Sequence, residues 1–337
     1  MPTRPVDRIR PHHLSGRPVY LPACRDQRIR KVSDLALGID IGGTKIAAGL
    51  VNRAGTVVRR AETPTPAALG GTQIVTKALG LARELREGVQ VVAVGVGSAG
   101  VIDPITRRVI SATDHLRDWA GTELGLLLES GLGLPVSASN DVHAHAVGEA
   151  FVGAGRGHGT VLVAAVGTGI GGAVVINGVV QAGAHGVAGH FGHLPVAEAD
   201  GMLCPCGRIG HVEAIASGTA LHAYYLKLGG DPGQEDARAV VRLAQTDPLA
   251  SRAVSTAGRT LGQALGGLTN VIDPDVIIIA GGMRNAGEPW WSAMEAGLRD
   301  TALPILSDVL LVKAELGDDA AIIGSAKQAF DLLEKLA

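Results

Sequence analysis

Two short turns rich in glycine and threonine are the segments of this sequence best suited to bind phosphate. They lie at residues 42–44 and 167–169, within longer repeats (37–52 and 163–178) that are about 126 residues apart. Each repeat consists of an apolar strand, the turn, a second strand of small residues and a closing asparagine. Because glycine has no Cβ, successive backbone N–H groups can approach a ligand and form a concavity that suits phosphate oxygens. The repeat therefore predicts a nucleoside triphosphate bound between two duplicated α/β halves.

Neither turn has the sequence context of the familiar nucleotide-binding loops. The Walker pattern G-x-x-x-x-G-K-[ST] is absent from both turns. Neither turn joins a strand to a helix, as the G-x-G-x-x-G dinucleotide loop does. A single GGT or GTG would fit a plain hairpin equally well, but their repetition favours nucleotide binding.

An Asn–Asp pair, Asn140 and Asp141, is the best candidate for group-transfer chemistry. It follows a predicted strand at 135–139 and precedes a predicted helix that runs to about residue 154. Phosphoryl transfer needs a positioned carboxylate that accepts the proton of the attacking hydroxyl, and a strand-to-helix junction holds a carboxylate rigidly. Asp141 is therefore predicted to be the general base and also the N-cap of the helix. The alternative is a helix cap without a catalytic role.

Periodicity places these residues in an α/β chain. Apolar residues at helical spacing predict helices over 72–87 and 320–336, and a shorter helix is predicted around 122–129. Short apolar runs predict further strands at 35–40, 45–52, 57–62, 91–97 and 160–166.

Composition limits the class of protein. The chain has 337 residues, enough for two domains, of which 46% are hydrophobic and 18% are charged. Its 48 glycines form no collagen-like period. No apolar run approaches the ~20 residues that a transmembrane helix needs. Three cysteines cannot build a disulfide framework, and the N-terminus lacks the apolar core of a secretory signal, so a cytoplasmic protein is expected.

Residues 1–34 form a basic leader that differs from the rest of the chain. Eight Lys and Arg against three Asp give this leader a charge of +5, so the remainder carries −7 of the total of −2. The leader is predicted to be a disordered extension or the product of an upstream translation start. Nucleic-acid binding is the weaker alternative, because the leader is too short for a winged helix and the remainder is acidic. No nucleic-acid or membrane partner is expected.

Motifs from residue 39 onward carry a resemblance to a known family. They are IDIGGTK (39–45), GVGSAG (95–100), ND (140–141), VGTGIGGA (166–173), AGHFGH (188–193), CPCGRIGHVEAIASG (204–218) and IIIAGG (277–282). In this order they resemble the ROK (repressor, open reading frame, kinase) family of sugar kinases. The resemblance implies an actin-like (ribonuclease H-like) duplicated two-domain α/β ATPase fold with an interdomain cleft. The small domain would comprise 35–140 and 318–337, and the large domain 141–317 with a zinc-binding loop.

The resemblance also implies roles for individual residues. ATP and Mg²⁺ would bind at Asp40, Gly42, Gly43, Thr44, Lys45, Gly167, Thr168, Gly169, Gly281 and Gly282. Among these, Asp40 would lie near the magnesium-bound phosphate, and Gly281 and Gly282 would accommodate adenosine or form a simple turn. The sugar would contact Gly100, Asn140, Asp141, His190, His193 and Glu213, with Asp141 as the catalytic base.

A structural zinc site is implied in the loop before Glu213. The family holds this metal with one histidine and three cysteines, and the corresponding residues here are His193, Cys204, Cys206 and His211. Zinc accepts two cysteines and two histidines in tetrahedral geometry, so the site is expected to be retained although a histidine replaces the last cysteine. The alternative is two structural cysteines near unrelated histidines. A Cys204–Cys206 disulfide is disfavoured by strain and by a reducing compartment.

His190 is a second departure from the family pattern and concerns the sugar. Most family glucokinases have glutamate here, whereas N-acetylmannosamine kinases of the family are similar to this chain in pairing AGH-x-GH with VEAIASG. A neutral imidazole carries no fixed negative charge, so recognition near C1 and C2 of the sugar should differ from that of glucokinases.

The resemblance thus implies ATP-dependent phosphorylation of the 6-hydroxyl of a hexose or N-acylhexosamine. N-acetylmannosamine is the first expectation for the sugar, and glucose is the alternative. A sugar-responsive transcriptional regulator and a non-catalytic sugar sensor are further alternatives. A homodimer or homotetramer is expected.

Overall fold

The computed structural model describes residues 34–113 and 115–337. The predictions for the basic leader, and for Cys24 within it, fall outside these residues. The strands of the described part are β1 (Leu35–Ile41), β2 (Lys45–Asn52), β3 (Val57–Pro64), β4 (Val91–Ser98), β5 (Val101–Ile102), β6 (Val109–Ser111), β7 (Val136–Asn140), β8 (Thr160–Val166), β9 (Ile170–Ile176), β10 (Val179–Val180), β11 (Val276–Ala280) and β12 (Leu310–Lys313). Its α-helices are α1 (Gly71–Leu85), α2 (Leu124–Leu132), α3 (Asp141–Val152), α4 (Glu213–Ala216), α5 (Gly218–Lys227), α6 (Ala237–Leu243), α7 (Pro248–Ile272), α8 (Glu288–Thr301) and α9 (Ala320–Leu336).

The first sheet has the strand order β3-β2-β1-β4-β7. β1, β2 and β3 form an antiparallel meander, whereas β4 and β7 run parallel to β1. The register aligns the last residues of the parallel strands, Ile41 with Ser98 and Ser98 with Asn140. Because the carboxyl ends of parallel strands meet at one edge, Asp40 and Asp141 are brought to the same side of the sheet.

The second sheet repeats this arrangement in the order β10-β9-β8-β11-β12. β8, β9 and β10 are antiparallel, and β11 and β12 run parallel to β8. Both sheets therefore share one strand order and one set of directions. This duplication agrees with the predicted duplicated α/β fold and places the two glycine turns, β1–β2 and β8–β9, at equivalent positions.

Helix α9 returns the chain to the first sheet, and the predicted helix over 320–336 is confirmed. Glycines in the strands let the helix approach closely: a Cβ on Gly38 would lie 2.0 Å from the Ile322 carbonyl oxygen, and one on Gly95 would lie 1.8 Å from that of Ser325. The apolar face of α9, including Phe330, packs on the small residues of β1, β2 and β4. Burial of this face fixes the C-terminal segment against the strand that carries Asp40.

Other predicted elements agree with the structure except at their ends. Helix α1 spans 71–85 where 72–87 was expected, and β3 continues to Pro64. Helix α2 begins at Leu124, because the Thr122 N–H donates to the Trp119 carbonyl in a preceding turn. Across residues 34–113 and 115–337, no helix combines the length and the apolar character needed to cross a membrane.

Candidate active site

The first glycine turn is shaped by bonds within its own sheet. Four residues, 42–45, separate the last paired positions of the β1–β2 hairpin, Ile41 and Ile46. The Gly42 N–H donates to the Lys45 carbonyl at 3.0 Å, and the Thr65 hydroxyl donates to the Gly42 carbonyl at 2.7 Å. A Cβ added at Gly43 would meet no atom within 4 Å. Hydrogen bonds therefore fix the backbone of this turn, while the space around Gly43 is open.

The second glycine turn is fixed by a distant carboxylate. Three residues, 167–169, separate the paired positions Val166 and Ile170. The Ile170 N–H donates to Glu213 Oε2 at 2.6 Å, and a Cβ on Gly169 would lie 2.6 Å from that same oxygen. Glu213, predicted to contact the sugar, is buried and uses one of its carboxylate oxygens to hold this turn.

A charged cavity of about 450 Å³ lies between the two sheets' carboxyl ends. Six ionisable side chains line it: Asp40, Lys45, Asp141, His145, Arg284 and Asp318. Gly42, Gly281 and Gly282 also line this charged cavity, so six of the residues predicted to bind nucleotide or substrate are brought together. Charges of both signs at one cavity are suited to a polyanion that arrives with a divalent cation.

A neighbouring cavity of about 730 Å³ continues from the charged cavity, and Gly282 and Asn285 line both. Gly167 and Thr168 of the second turn line the neighbouring cavity together with Gly218 and Asp236. Gly43, Thr44 and Gly169 belong to the two turns but line neither cavity. The geometry therefore provides one charged compartment and one larger compartment joined beside the second turn.

Asn140, and not Asp141, caps helix α3, which corrects the prediction. The Asn140 side-chain oxygen accepts the N–H groups of Val142 at 2.9 Å and His143 at 3.3 Å. Asn140 is still in the extended conformation of β7, which is the backbone geometry of an N-cap, whereas Asp141 is already helical. The side-chain amide nitrogen of Asn140 donates to the Gly100 carbonyl at 2.9 Å. With the cap supplied by Asn140, the Asp141 carboxylate is free to line the charged cavity.

Burial raises the pKa of both Asp40 and Asp141. Burial raises the pKa of Asp40 to about 7, and the negative charge of Asp141 contributes in the same direction. Burial likewise raises the pKa of Asp141, although the backbone N–H of Val142 at its carboxylate opposes the shift. A carboxylate with a raised pKa is a stronger base than an exposed one, which suits a residue that accepts a proton.

Three histidines, His143, His190 and His193, lie close to one another next to the start of helix α3. The buried His143, two residues after Asp141, donates from Nε2 to the Ala188 carbonyl at 2.8 Å and ties helix α3 to the 188–193 segment. The His190 ring is 6.1 Å from that of His143 and 6.4 Å from that of His193, measured between centroids. Burial, followed by the charges of those two neighbours, lowers the pKa of His190 to about 4. His190 is therefore a neutral imidazole at neutral pH.

Four predicted metal ligands converge at the loop before α4. The ligand atoms of His193, Cys204, Cys206 and His211 all lie within 4.8 Å of one another. Cys204 Sγ is 3.6 Å from Nδ1 of His193, and Cys206 Sγ is 3.2 Å from Nδ1 of His211. Two sulfurs and two imidazole nitrogens at this mutual distance fit the donor set of a tetrahedral zinc.

Three ionisable residues that line the charged cavity were not among the site residues predicted from the sequence: His145, Arg284 and Asp318. Lys45 Nζ donates to Asp318 at 2.6 Å, an ion pair between residues 273 positions apart. Arg284 lies four residues after the buried strand β11. A cation so close to a strand end is the sequence signal that could have identified it as a site residue. For His145 and Asp318 no local signal exists, because their neighbours come from remote parts of the chain.

Comparisons with known proteins agree with this geometry. The family model of the ROK family matches residues 36–331. A glucokinase of Streptomyces coelicolor is 34% identical over 316 residues, which cover 88% of this chain and 97% of the glucokinase. An N-acetylmannosamine kinase of Escherichia fergusonii is 32% identical over 291 residues, covering 86% of this chain and 96% of that kinase. The solved structure of a ROK family glucokinase from Streptomyces griseus, in complex with glucose and AMPPNP, is 33% identical and superimposes with a TM-score of 0.72, covering 88% of this chain and 99% of that one.

Proposed function

This chain belongs to the ROK family and is an ATP-dependent sugar kinase, and we propose that it phosphorylates the 6-hydroxyl of a hexose or N-acylhexosamine. One observation carries this proposal: the half-buried carboxylate of Asp141 lines a charged cavity that reaches Gly42 of the first turn and joins the neighbouring cavity beside the second. A base next to a phosphate site is what transfer to a hydroxyl requires.

The proposed mechanism assigns the proton to Asp141. Its carboxylate accepts the proton of the sugar hydroxyl as the hydroxyl oxygen attacks the γ-phosphorus of ATP, and the bond from that phosphorus to the β–γ bridging oxygen breaks to release ADP. The raised pKa makes Asp141 a stronger base, and the Asn140 cap holds the strand end that carries it. Magnesium bound with ATP would neutralise phosphate charge, and Asp40 faces the compartment where that charge would lie.

The two glycine turns are proposed to hold the phosphate chain between the sheets. Their backbone N–H groups offer donors without a Cβ between them and the ligand. The neighbouring cavity beside the second turn is proposed to hold the nucleoside, with Gly281 and Gly282 at the boundary between nucleoside and phosphates. A compartment of about 730 Å³ supports a nucleotide donor over a bare polyphosphate.

N-acetylmannosamine is the first proposed sugar, because a neutral His190 stands where family glucokinases have a carboxylate. A carboxylate accepts two hydroxyl hydrogen bonds, whereas an imidazole can donate one and accept one, which suits an acylamino group beside the ring. Glucose is the second candidate, favoured by the 34% identity to the Streptomyces coelicolor glucokinase. The two candidate sugars should therefore differ mainly in how they interact with His190.

A coupled assay of ADP release tests the sugar. The panel contains N-acetylmannosamine, glucose, mannose, N-acetylglucosamine and allose, and the expected result is a kcat/KM for N-acetylmannosamine roughly 10-fold or more above that for glucose. The variant His190→Glu should shift this ratio towards glucose, while His185→Glu, on an exposed residue of the same loop, should not. Preference of the wild type for glucose would establish the second candidate. Phosphorylation of none of the sugars would contradict the proposed function.

We also propose that His193, Cys204, Cys206 and His211 hold one structural zinc that fixes the 204–211 loop. Elemental analysis of the purified protein should find about one zinc per chain. The variant Cys206→Ser should lose the metal, and Cys24→Ser, in the leader, serves as the matched control. Zinc-free protein with unchanged stability and activity would rule the site out.

The division into a small domain (35–140 with 318–337) and a large domain (141–317) is proposed from the two sheets, one in each. Assembly as a homodimer or homotetramer stays a prediction. Light scattering coupled to gel filtration measures the mass and tests it directly.

A further inference from the structure

Arg284 stands on a rigid turn that follows β11, the strand between β8 and β12 in the second sheet. Gly281 begins this turn at a φ of +79°, and a Cβ there would lie 2.4 Å from the Val166 carbonyl oxygen, so only glycine allows the close approach. The Arg284 carbonyl accepts the indole N–H of Trp291 at 2.9 Å. Both ends of the short Gly282–Asn285 helix are thereby fixed, and the position of the Arg284 backbone is determined.

The guanidinium of Arg284 lines the charged cavity without a partner among residues 34–113 and 115–337. It makes no hydrogen bond or ion pair there, although its Nη2 lies 3.7 Å from the position of a Cβ on Gly317. Its positive charge affects the pKa values of two other residues that line the cavity. It contributes to the lowered pKa of Asp318, behind the larger effect of Lys45, and it adds to the burial that lowers the pKa of His145.

Lys45 faces the same cavity from the first sheet, but its charge is already matched. Its ammonium lies 2.6 Å from Asp318 and 3.6 Å from Glu62. Of the lysine and arginine that line the charged cavity, Arg284 is therefore the one whose hydrogen-bonding capacity the described residues leave unused. A planar guanidinium with five N–H donors in fixed directions matches the oxygens of a phosphate group better than an ammonium does.

We propose that Arg284 binds the β- or γ-phosphate of the nucleoside triphosphate, from the side opposite Lys45. This inference rests on the proposed function only in taking ATP as the donor. In this role Arg284 neutralises charge on the phosphate chain next to Asp40 and Asp141, two carboxylates that would otherwise repel it. As a residue that touches the transferred group, it also stabilises the charge that develops on the phosphoryl oxygens during transfer.

Calorimetric titration with AMP, ADP and the non-hydrolysable analogue AMPPNP tests the contact without any sugar. The variant Arg284→Met removes the charge and retains an unbranched chain. It should weaken binding of AMPPNP by about 10- to 100-fold, as expected for loss of a charge-assisted hydrogen bond, and binding of AMP by less than about 3-fold. Arg284→Lys should recover part of the loss. Arg259→Met, on an exposed arginine of the same half that pairs with Asp300, is the control and should bind all three nucleotides as the wild type does.

The pattern across nucleotides decides the result. Equal weakening for AMP and AMPPNP, accompanied by a lower melting temperature, would show that Arg284 only supports the fold of the 281–285 turn. Unchanged binding of AMPPNP would also overturn the proposal. Wild-type protein that binds AMPPNP but phosphorylates no sugar would refute the proposed function while the titrations still decide the role of Arg284. A wild type that binds none of the nucleotides would contradict both.

Discussion

The two glycine hairpins occupy equivalent positions in duplicated sheets, yet they are built differently. The β1–β2 turn has one residue more than the β8–β9 turn between its last paired positions. Asp40 and Ala165 both stand one residue before the last pair, in β1 and β8, and both line the charged cavity. The first hairpin thus contributes a half-buried carboxylate where the second contributes a methyl group.

The source of rigidity differs in the same way. Thr65, which directly follows β3, holds the first turn, so this turn is stabilised beside its own sheet. Glu213 holds the second turn, from a helix 43 residues further along the chain. The two sheets therefore have similar backbones, but Asp40 and Asp141 both stand at the carboxyl edge of the first sheet. The second half acquired a rigid turn and the large cavity beside it.

Removal of the base should give the largest effect, because proton transfer is proposed to depend on Asp141. Asp141→Asn should lower kcat by roughly 100- to 10,000-fold, the contribution expected of a general base. The affinity for sugar, measured by calorimetry, should stay nearly unchanged. Asp300→Asn, on an exposed residue, should keep full activity. Robust turnover by Asp141→Asn would remove Asp141 as the base.

Replacement of Asp40 should make the first hairpin more like the second and stabilise the fold. Because the pKa of Asp40 rises from 3.8 in its ordinary state to about 7 when folded, the folded protein binds the proton more tightly than the unfolded chain does. Wild-type stability therefore falls as the pH rises from about 4 to 7, and Asp40→Asn should be more stable by about 4 kcal/mol at about pH 8.

Chemical denaturation at several pH values measures this difference. The advantage of Asp40→Asn should vanish near pH 4, at roughly the pKa of an unfolded aspartate. Asp300→Asn should show no such dependence. An advantage of Asp40→Asn that is constant with pH would mean that its charge does not destabilise the fold.

A methyl group added to each turn compares their tightness directly. Gly169→Ala should lower the free energy of unfolding by about 2 kcal/mol, because the new Cβ would lie 2.6 Å from the Glu213 carboxylate. Gly43→Ala is the matched variant in the first turn, where a Cβ meets open space, and its stability should stay within about 0.5 kcal/mol of wild type. Equal losses for the two variants would abolish the difference inferred between the turns.

A small change in stability is expected for Lys45, the cation of the first turn. Its ion pair with Asp318 is exposed, so Lys45→Met should change the free energy of unfolding by less than about 1 kcal/mol. The KM for ATP should nevertheless rise several-fold if Lys45 meets phosphate, whereas Arg108→Met, which breaks the exposed pair with Glu123, should leave it unchanged. A KM unaffected by Lys45→Met would restrict this residue to a structural role.

The sequence determined those features that depend on neighbouring residues. Short apolar runs around repeated glycine turns predicted both hairpins, and helical periodicity over 320–336 predicted α9 to the residue. The motifs predicted the convergence of His193 with the Cys204 loop, because a metal site needs particular donors at particular spacings. The N-cap was wrong by one position, since Asn and Asp are both favoured caps and only the backbone conformation distinguishes them.

Tertiary structure alone decided which charges share the cavity and what holds the second turn. The pair of Lys45 and Asp318 joins residues 273 positions apart, and Arg284 reaches the cavity only because Gly281 lets its strand end approach β8. The pKa of Asp40 depends on burial and on the charge of Asp141, neither of which is encoded in residues near it in sequence. Electrostatic energies follow distances in space and the exclusion of water, and these exist only after the two sheets have packed.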